Sequence, residues 1–578
     1  MNKIFNFFNI TGLERFLFLV SPKHKKKLII LFFFMFVVSL LEILSIGIII
    51  PLINFIFNPN ANNNIINLQG FGSLNFFPNS DYISLVIIFI FLVYLIKFLF
   101  LIFYQYFNAN VLLKMSVGIK NNLFKNYLKK SYFFHLNNNT SLLIRNIQNE
   151  IDVLMANYVS PILVFALALL NTIFICIFLL YYSFSTSIFI ILIFGLTGII
   201  LNFSVRKILR LIGEKRRIYG ISVLKNLRQS FTLIKEIKML SKENFFLGKL
   251  NSDNLIMAKL GIKRTVIGSL PRIIFEFLFV VIALASIYYV NSSNMNMESF
   301  LSLLAIYAVA AFRIMPALNS LSSSYQKIKF GSPVLSIIIK AFENKEFEDE
   351  YFAKEKTQNL IFNTELYLKE ISFTYPDNTK PVLQEINLKI NKGNIIGVVG
   401  DNASGKSTLI NLICGLLKPT RGKIMLDNKE ITNISSLQKF IGYIPQEIYL
   451  IDGDIKSNIA LGINEEDINK TKITEAMKTV GLDKTLSEND FIGENGKNIS
   501  GGQKQKIAIA RALYHDPEIL ILDEATSAMD ISSERQFIEM ISNQNINKTI
   551  IIISHRMQAL KSCDFIYKLD KKTIYKVN

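Results

Sequence analysis

Gly400-Asp401-Asn402-Ala403-Ser404-Gly405-Lys406-Ser407-Thr408 decides how the rest of this chain is read. It fits G-x-x-x-x-G-K-[ST], a loop whose backbone N–H groups cradle phosphates. The apolar run Ile395-Ile396-Gly397-Val398-Val399 predicts a buried strand entering the loop, and Ser407 to Leu417 predicts a helix leaving it. Glycines let the backbone wrap the β- and γ-phosphates, and the helix N-terminus adds favourable positive potential. Lys406 would neutralise phosphate charge. The Ser407 hydroxyl would complete the shell of a Mg²⁺ ion that ATP brings with it.

From Leu366 onward the pattern alternates strands with helices. Ile519-Leu520-Ile521-Leu522-Asp523-Glu524 is an apolar strand ending in two acids. Asp523 would hold Mg²⁺ through water, and Glu524 would polarise the attacking water. Just upstream, Ile499-Ser500-Gly501-Gly502-Gln503 opens a helix predicted over Lys504–Tyr514, a second anion-binding N-terminus.

Taken in order, these motifs resemble the nucleotide-binding domain of ABC transporters, over residues 361–578. The resemblance implies that Tyr375, 25 residues before Gly400, stacks on adenine. It implies that Gln446, in Tyr443-Ile444-Pro445-Gln446, senses Mg²⁺ and the γ-phosphate and joins Ser407 and Asp523 as the metal set. Ser527-Ala528-Met529-Asp530 is similar to the D-loop, and His555, after Ile550-Ile551-Ile552-Ile553-Ser554, to the switch histidine. Ile499 stands where the signature usually has Leu, and Lys506 replaces the usual Arg. In that family Ser500, Gly501, Gly502 and Gln503 of one chain close over ATP held by Gly400–Thr408 of another. The resemblance therefore implies a homodimer.

A chain of 578 residues exceeds the usual size of one domain. It is 51% hydrophobic and only 19% charged, yet carries a net charge of +19. That pairing suits a membrane protein with basic cytoplasmic loops and argues against a nucleic-acid partner. Cys176, Cys414 and Cys563 have no metal-like spacing and are expected to be reduced, structural thiols. The N-terminus is not expected to carry a removable signal peptide. Instead Lys3, Arg15, Lys23, Lys25, Lys26 and Lys27 surround a short apolar patch, as in a helix lying along the inner membrane face.

Apolar segments long enough to cross a bilayer lie near 28–57, 83–108, 154–181, 185–205, 268–291 and 297–325. The connecting segments 58–82, 182–187 and 292–296 contain no Lys or Arg, whereas 109–153 contains six and 206–267 fifteen. This complete alternation predicts that both chain ends are cytoplasmic, and the expected location is the bacterial cytoplasmic membrane. Residues 1–325 thus form a six-span α-helical membrane domain similar to the exporter type, and 361–578 an α/β P-loop domain. The polar, acidic stretch 326–360 reads as the linker. The two long cytoplasmic segments extend the spans, with Leu136–Ser141 and Phe231–Lys238 as candidate short helices touching the ATPase.

Ionisable groups inside a bilayer are costly and mark function. Glu42 and Lys97 fall mid-span, Arg313 lies within the sixth segment, and Arg272 and Glu276 sit four residues apart near the start of the fifth. The latter two could equally form a helical pair. Glu42 with Pro51, Lys97, Pro271-Arg272-Ile273 with Glu276, and Arg313-Ile314-Met315-Pro316-Ala317-Leu318-Asn319 resemble PglK-type flippases of lipid-linked oligosaccharides. That resemblance implies that Lys97, Arg272 and Arg313 line a cavity for a pyrophosphate-sugar head. Lys97 replaces an arginine, and Ser320 stands where a further basic residue is expected. Within 58–82, Ile65, Ile66, Leu68, Phe71 and Leu74 could form an external lipid-touching helix. The alternative substrate is a peptide or other amphiphile; the residues before the first span carry no processing-peptidase domain. A soluble ABC protein acting on ribosomes or DNA is excluded by the spans and their charged flanks.

Overall fold

The computed structural model describes residues 13–48, 67–68, 72–73, 82–182, 184–292, 297–343, 360–376, 378–431, 434–524, 548–554 and 560–577. They fall into two compact units, Met1–Lys129 with Asn138–Asn344, and Lys130–Asn137 with Lys345–Asn578.

The first unit is helical. Its long helices are α1 (Pro22–Gly47), α2 (Tyr82–Leu128), α3 (Ser160–Tyr182), α4 (Phe184–Thr232), α5 (Glu243–Ser292) and α6 (Met297–Glu343). Among the described residues, five helical stretches are long and apolar enough to cross a membrane: Pro22–Ser45, Ile87–Leu128, Thr140–Tyr181, Ser187–Thr232 and Glu243–Ile282. The sixth predicted span is the start of α6, where side chains are described only from Ile314 onward. At about 1.5 Å per residue, a helix as long as α2 runs more than twice the ~30 Å hydrocarbon thickness. Its second half, basic in sequence, is the predicted cytoplasmic extension.

Helix α2 shows why the sequence behaves this way. Tyr104, Val111, Met115, Ile119, Leu123 and Tyr127 are buried and recur at intervals of seven and four, one helical face. Phe89, Phe91, Ile96, Phe98 and Leu99 are exposed, as apolar side chains can be where lipid is the solvent. Of the segment 58–81, the described residues Asn67–Leu68 and Gly72–Ser73 pair as short antiparallel strands, so Leu68 is not on the helix expected there.

Residues 326–343, read from composition as the start of the linker, continue α6 instead. Ile328, Phe330, Val334, Leu335, Ile338 and Ile339 are buried at helical spacing together with Lys329, while Lys327, Ser336 and Lys340 are exposed. Close crossings fix this stretch. A Cβ on Gly213 of α4 would meet the Phe330 carbonyl oxygen at 2.4 Å, and one on Gly331 would meet that of Asn157 at 2.6 Å. Neither backbone approach tolerates a side chain.

A buried ion pair locks the base of the third span. Arg145 and Glu150 sit 2.6 Å apart with side chains 5% and 1% exposed, across a π-helical turn at Asn146–Glu150. Arg145 also donates to the Arg217 carbonyl oxygen of α4 at 2.8 Å. Glu150→Ala should therefore destabilise the protein by about 3–5 kcal/mol, because it strands a buried guanidinium. The double variant Arg145→Met/Glu150→Leu should cost much less. Thermal unfolding in detergent measures both, and equal costs would contradict the pairing.

The second unit is built on a six-stranded and a four-stranded sheet. The strands are β1 (Glu365–Phe373), β2 (Leu383–Asn391), β3 (Ile395–Gly400), β4 (Arg421–Leu426), β5 (Lys429–Glu430), β6 (Ile441–Ile444), β7 (Ile519–Asp523), β8 (Thr549–Ile553), β9 (Phe565–Asp570) and β10 (Thr573–Lys576). The small sheet is antiparallel, in the order β2-β1-β4-β5. The large one runs β10-β9-β3-β8-β7-β6, with β9, β3, β8, β7 and β6 mutually parallel. Its central strands read as unbroken apolar runs because helices cover both faces. Ile519, Ile521, Ile551 and Ile553 pack on the core shared with helix α7 (Lys406–Ile413). Leu520, Leu522, Ile550 and Ile552 pack on the opposite core, with helix α8 (Gly501–Tyr514).

The helix Tyr132–Asn137 belongs to this second unit, where Phe133 packs on the nucleotide-side core. It begins four residues before the expected Leu136–Ser141. Asn139 caps the next helix by accepting from the Ser141 N–H at 2.9 Å, so the Asn run ends one helix at Asn137 and starts the next. The other short helix forms at Ile234–Leu240, within the first unit.

Candidate functional site

The parallel strands of the large sheet end on one edge, where α/β sheets bind ligands. The register sets Val398, Ile553 and Asp523 side by side on β3, β8 and β7. Gly400 and the phosphate loop follow the first of these strands, Ser554 the second, and Asp523-Glu524 end the third. Positions far apart in sequence thus converge.

The loop is shaped for an anion. Gly405 sits at φ +109° and Ala403 at +63°, left-handed conformations that turn successive N–H groups inward. A Cβ on Gly400 would lie 2.6 Å from the Leu569 carbonyl oxygen and 2.7 Å from Ser404 Oγ. Ser404 Oγ is itself buried and, among the described residues, accepts and donates no hydrogen bond. Lys406 is buried, its Nζ donating to the Gly400 and Asp401 carbonyl oxygens at 2.6 and 2.9 Å. Asp401, Asn402, Ala403 and Ser407 are exposed, and Thr408 is buried. Burial pulls the Lys406 ammonium below its ordinary pKa, while Glu524, Asp401 and Asp523 push it back up. A cradle with an orphaned hydroxyl and a committed lysine fits a nucleotide's phosphates.

The acids are held from the neighbouring strand. Tyr443 Oη donates to Asp523 Oδ2 at 3.0 Å, and Gln446 Nε2 donates to Glu524 Oε2 at 2.7 Å. Burial raises the Asp523 carboxyl above the usual range, the Tyr443 bond lowers it, and Glu524 adds to the rise. Glu524 adopts φ +49°, a strained backbone for a non-glycine residue, with its N–H donating to the Ile553 carbonyl oxygen at 3.0 Å. Ser407, Gln446 and Asp523 offer only oxygen donors, which suits Mg²⁺. When bound, that ion would neutralise charge developing on the phosphates. Ser407 and Asp523 would hold it, and Glu524 would take the water's proton.

Tyr375 is half-buried, with its hydroxyl 3.1 Å from Thr408 Oγ1. Its ring meets Phe373 edge-on at 4.8 Å and Phe133 nearly face-on at 6.1 Å. Phe133 was not singled out from sequence, because nothing local marks it. Ser500 caps α8 in a reciprocal capping box with Gln503, at 3.2 and 2.9 Å. A Cβ on Gly501 or Gly502 would meet nothing within 4 Å. Asp530 and His555 lie outside the described residues. Burial pushes the Cys414 and Cys563 thiols up to about 12, as befits inert structural thiols.

The membrane cations are largely paired. Lys97 is buried, 2.6 Å from Glu42 and donating to Ser45 Oγ at 2.9 Å. Arg272 and Glu276 are exposed and pair at 2.7 Å along α5. Arg313 lies on α6, and its side chain is outside the described residues.

Comparison with known proteins agrees with this architecture. The ABC transporter family profile matches residues 383–527, and that of the ABC transporter transmembrane region matches residues 28–313. The chain is 28% identical over 483 residues to an ATP-dependent lipid A-core flippase of Wigglesworthia glossinidia brevipalpis, covering 81% of each. It is 37% identical over 214 residues to an ATP-dependent lipid A-core flippase of Cupriavidus pinatubonensis, a match spanning 36% of each chain and so about a third of that relative's length. A solved bacterial Atm1-family ABC exporter with ATP bound superposes with a TM-score of 0.78 at 19% identity, covering 95% of both chains. With its transmembrane region and nucleotide-binding domain fused in one polypeptide, this chain belongs to the ABC transporter family, as a half-transporter.

Proposed function

We propose that two copies of this chain form an ATP-driven flippase. It moves a phosphate-bearing glycolipid, specifically a polyprenyl-pyrophosphate glycan, across the bacterial cytoplasmic membrane. The observation that carries the ATP-driven part is the convergence of Lys406, Asp523, Glu524 and Gln446 at one sheet edge. Lipid movement is supported by the similarity to a lipid A-core flippase along most of the chain. Both termini are then cytoplasmic, following the loop charges.

Gly501 and Gly502 support the homodimer. No described residue of their own chain crowds them, which leaves room there for a second copy, and the chain carries one transmembrane region and one nucleotide-binding domain, half of a transporter. The head-group reading rests on charge. Glu42 balances Lys97 and Glu276 balances Arg272, and Arg313 is assigned to the anionic head from its position within the sixth apolar segment. Lys97→Ala would strand the Glu42 carboxylate, so Arg313 is the sharper test.

In proteoliposomes, Arg313→Ala should slow flipping of a lipid-linked oligosaccharide about tenfold. That is the loss of one charge-assisted contact, and basal ATPase should remain. Lipid A-core tested alongside separates the two phosphorylated lipids. Unchanged flipping of both, with transport of a peptide, would overturn the lipid reading.

A further inference from the structure

We propose that Tyr443 is a positioning residue for the magnesium-side acid: its phenol holds the Asp523 carboxylate in the orientation that accepts from the ion's water shell. The proposal rests on the reading of Asp523 as that acid, and it gives a role to a residue that the nucleotide motifs leave without one.

The placement follows from strand register. β6 and β7 run parallel, with Tyr443 beside Ile521 and Ile444 beside Leu522. Side chains alternate between faces, so Tyr443 shares a face with Ile521 and, two residues on, Asp523. A phenol is long enough to span that offset, and Oη reaches Asp523 Oδ2 at 3.0 Å. Ile444, on the opposite face, is fully buried and fixes the register. A slip of one residue would turn Tyr443 away from the acid and expose Ile444. Beyond Pro445, Gln446 donates to Glu524 at 2.7 Å. Two donors three residues apart thus serve two adjacent acids.

Asp523 needs a fixed partner. It sits beside the carboxylate of Glu524, and Lys406 Nζ donates to the Gly400 and Asp401 carbonyl oxygens, so the lysine acts on Asp523 as a nearby charge while the phenol supplies the directed hydrogen bond. The bond engages Oδ2, and Oδ1 would then be the oxygen that accepts from a metal-bound water. Tyr443 is 37% exposed, so its ring is not core filling that the fold depends on. A carboxylate held by an outer partner binds metal more tightly because it loses less freedom on doing so.

The test uses the full-length protein with a non-hydrolysable ATP analogue and Mn²⁺ as the probe, read by electron paramagnetic resonance. Tyr443→Phe should weaken Mn²⁺ binding about tenfold, the low end for loss of an outer-shell partner. Binding of a fluorescent ATP in EDTA should stay unchanged. The Mg²⁺ concentration giving half-maximal ATPase should rise in the same ratio, with little change in kcat at saturating Mg²⁺. Asp523→Asn should also weaken Mn²⁺ binding, and adding Tyr443→Phe to it should weaken binding no further. If Asp523→Asn weakens Mn²⁺ binding and Tyr443→Phe does not, the proposal fails alone. An unchanged Asp523→Asn would overturn the underlying reading with it. Loss of metal-free nucleotide binding in Tyr443→Phe would show a folding role and overturn the proposal as well.

Discussion

Glu524→Gln will bind ATP with near-normal affinity and lose on the order of 10²-fold or more in turnover, the size of a general-base contribution. The side chain sits directly after Asp523 at the end of β7, on a backbone held at φ +49°. Its carboxylate accepts from Gln446 at 2.7 Å and helps keep the Lys406 ammonium charged. Glutamine has the same shape, so the strained turn and the sheet edge should survive. What it removes is the capacity to take a proton from water. Phosphate release under saturating ATP, alongside nucleotide binding, checks both halves. Near-normal turnover would move the base to another residue.

Ser500→Arg will abolish hydrolysis while the phosphate loop of the same chain still binds ATP. Within one chain Ser500 caps α8, and the open backbone at Gly501 and Gly502 faces nothing described. An arginine there would fill space that a second copy's nucleotide needs. Lys406→Ala is the complementary lesion: it removes the buried cation that pins the Gly400 and Asp401 carbonyls. Each variant alone carries two broken composite sites, whereas a mixed dimer restores one. Activity should therefore reappear when the two inactive proteins are reconstituted together. Full activity of Ser500→Arg by itself would contradict a shared site.

The ATP-side chemistry was legible because it is local. A phosphate cradle needs its glycines, lysine and hydroxyl within one loop and one helical turn, so Gly400–Thr408 announces itself. The strand before it, and the strand ending in Asp523 and Glu524, are unbroken apolar runs because both faces of a parallel sheet are covered. The spans were legible for the same reason at larger scale, since about 20 apolar residues can serve few other purposes.

What composition misread was the end of α6. Polar residues spaced along Lys327–Glu343 looked like a linker, yet they belong to a helix with a buried apolar face: Lys327, Ser336 and Lys340 are exposed, and Lys329 is buried with that face. The Arg272–Glu276 pair was open to the sequence as a four-residue helical spacing, but partners on different elements were not. Glu42 and Lys97 lie on different helices, and so do Arg145 and the Arg217 carbonyl it grips. The same holds for Tyr443 with Asp523 and for Phe133 with Tyr375. Sequence alone determined which residue types are present, and their local periods determined the elements and the nucleotide motifs. Only the tertiary structure decided the partners, because a partner is chosen by helix crossing and strand register. Those are set by packing between segments that no fixed spacing in the chain encodes.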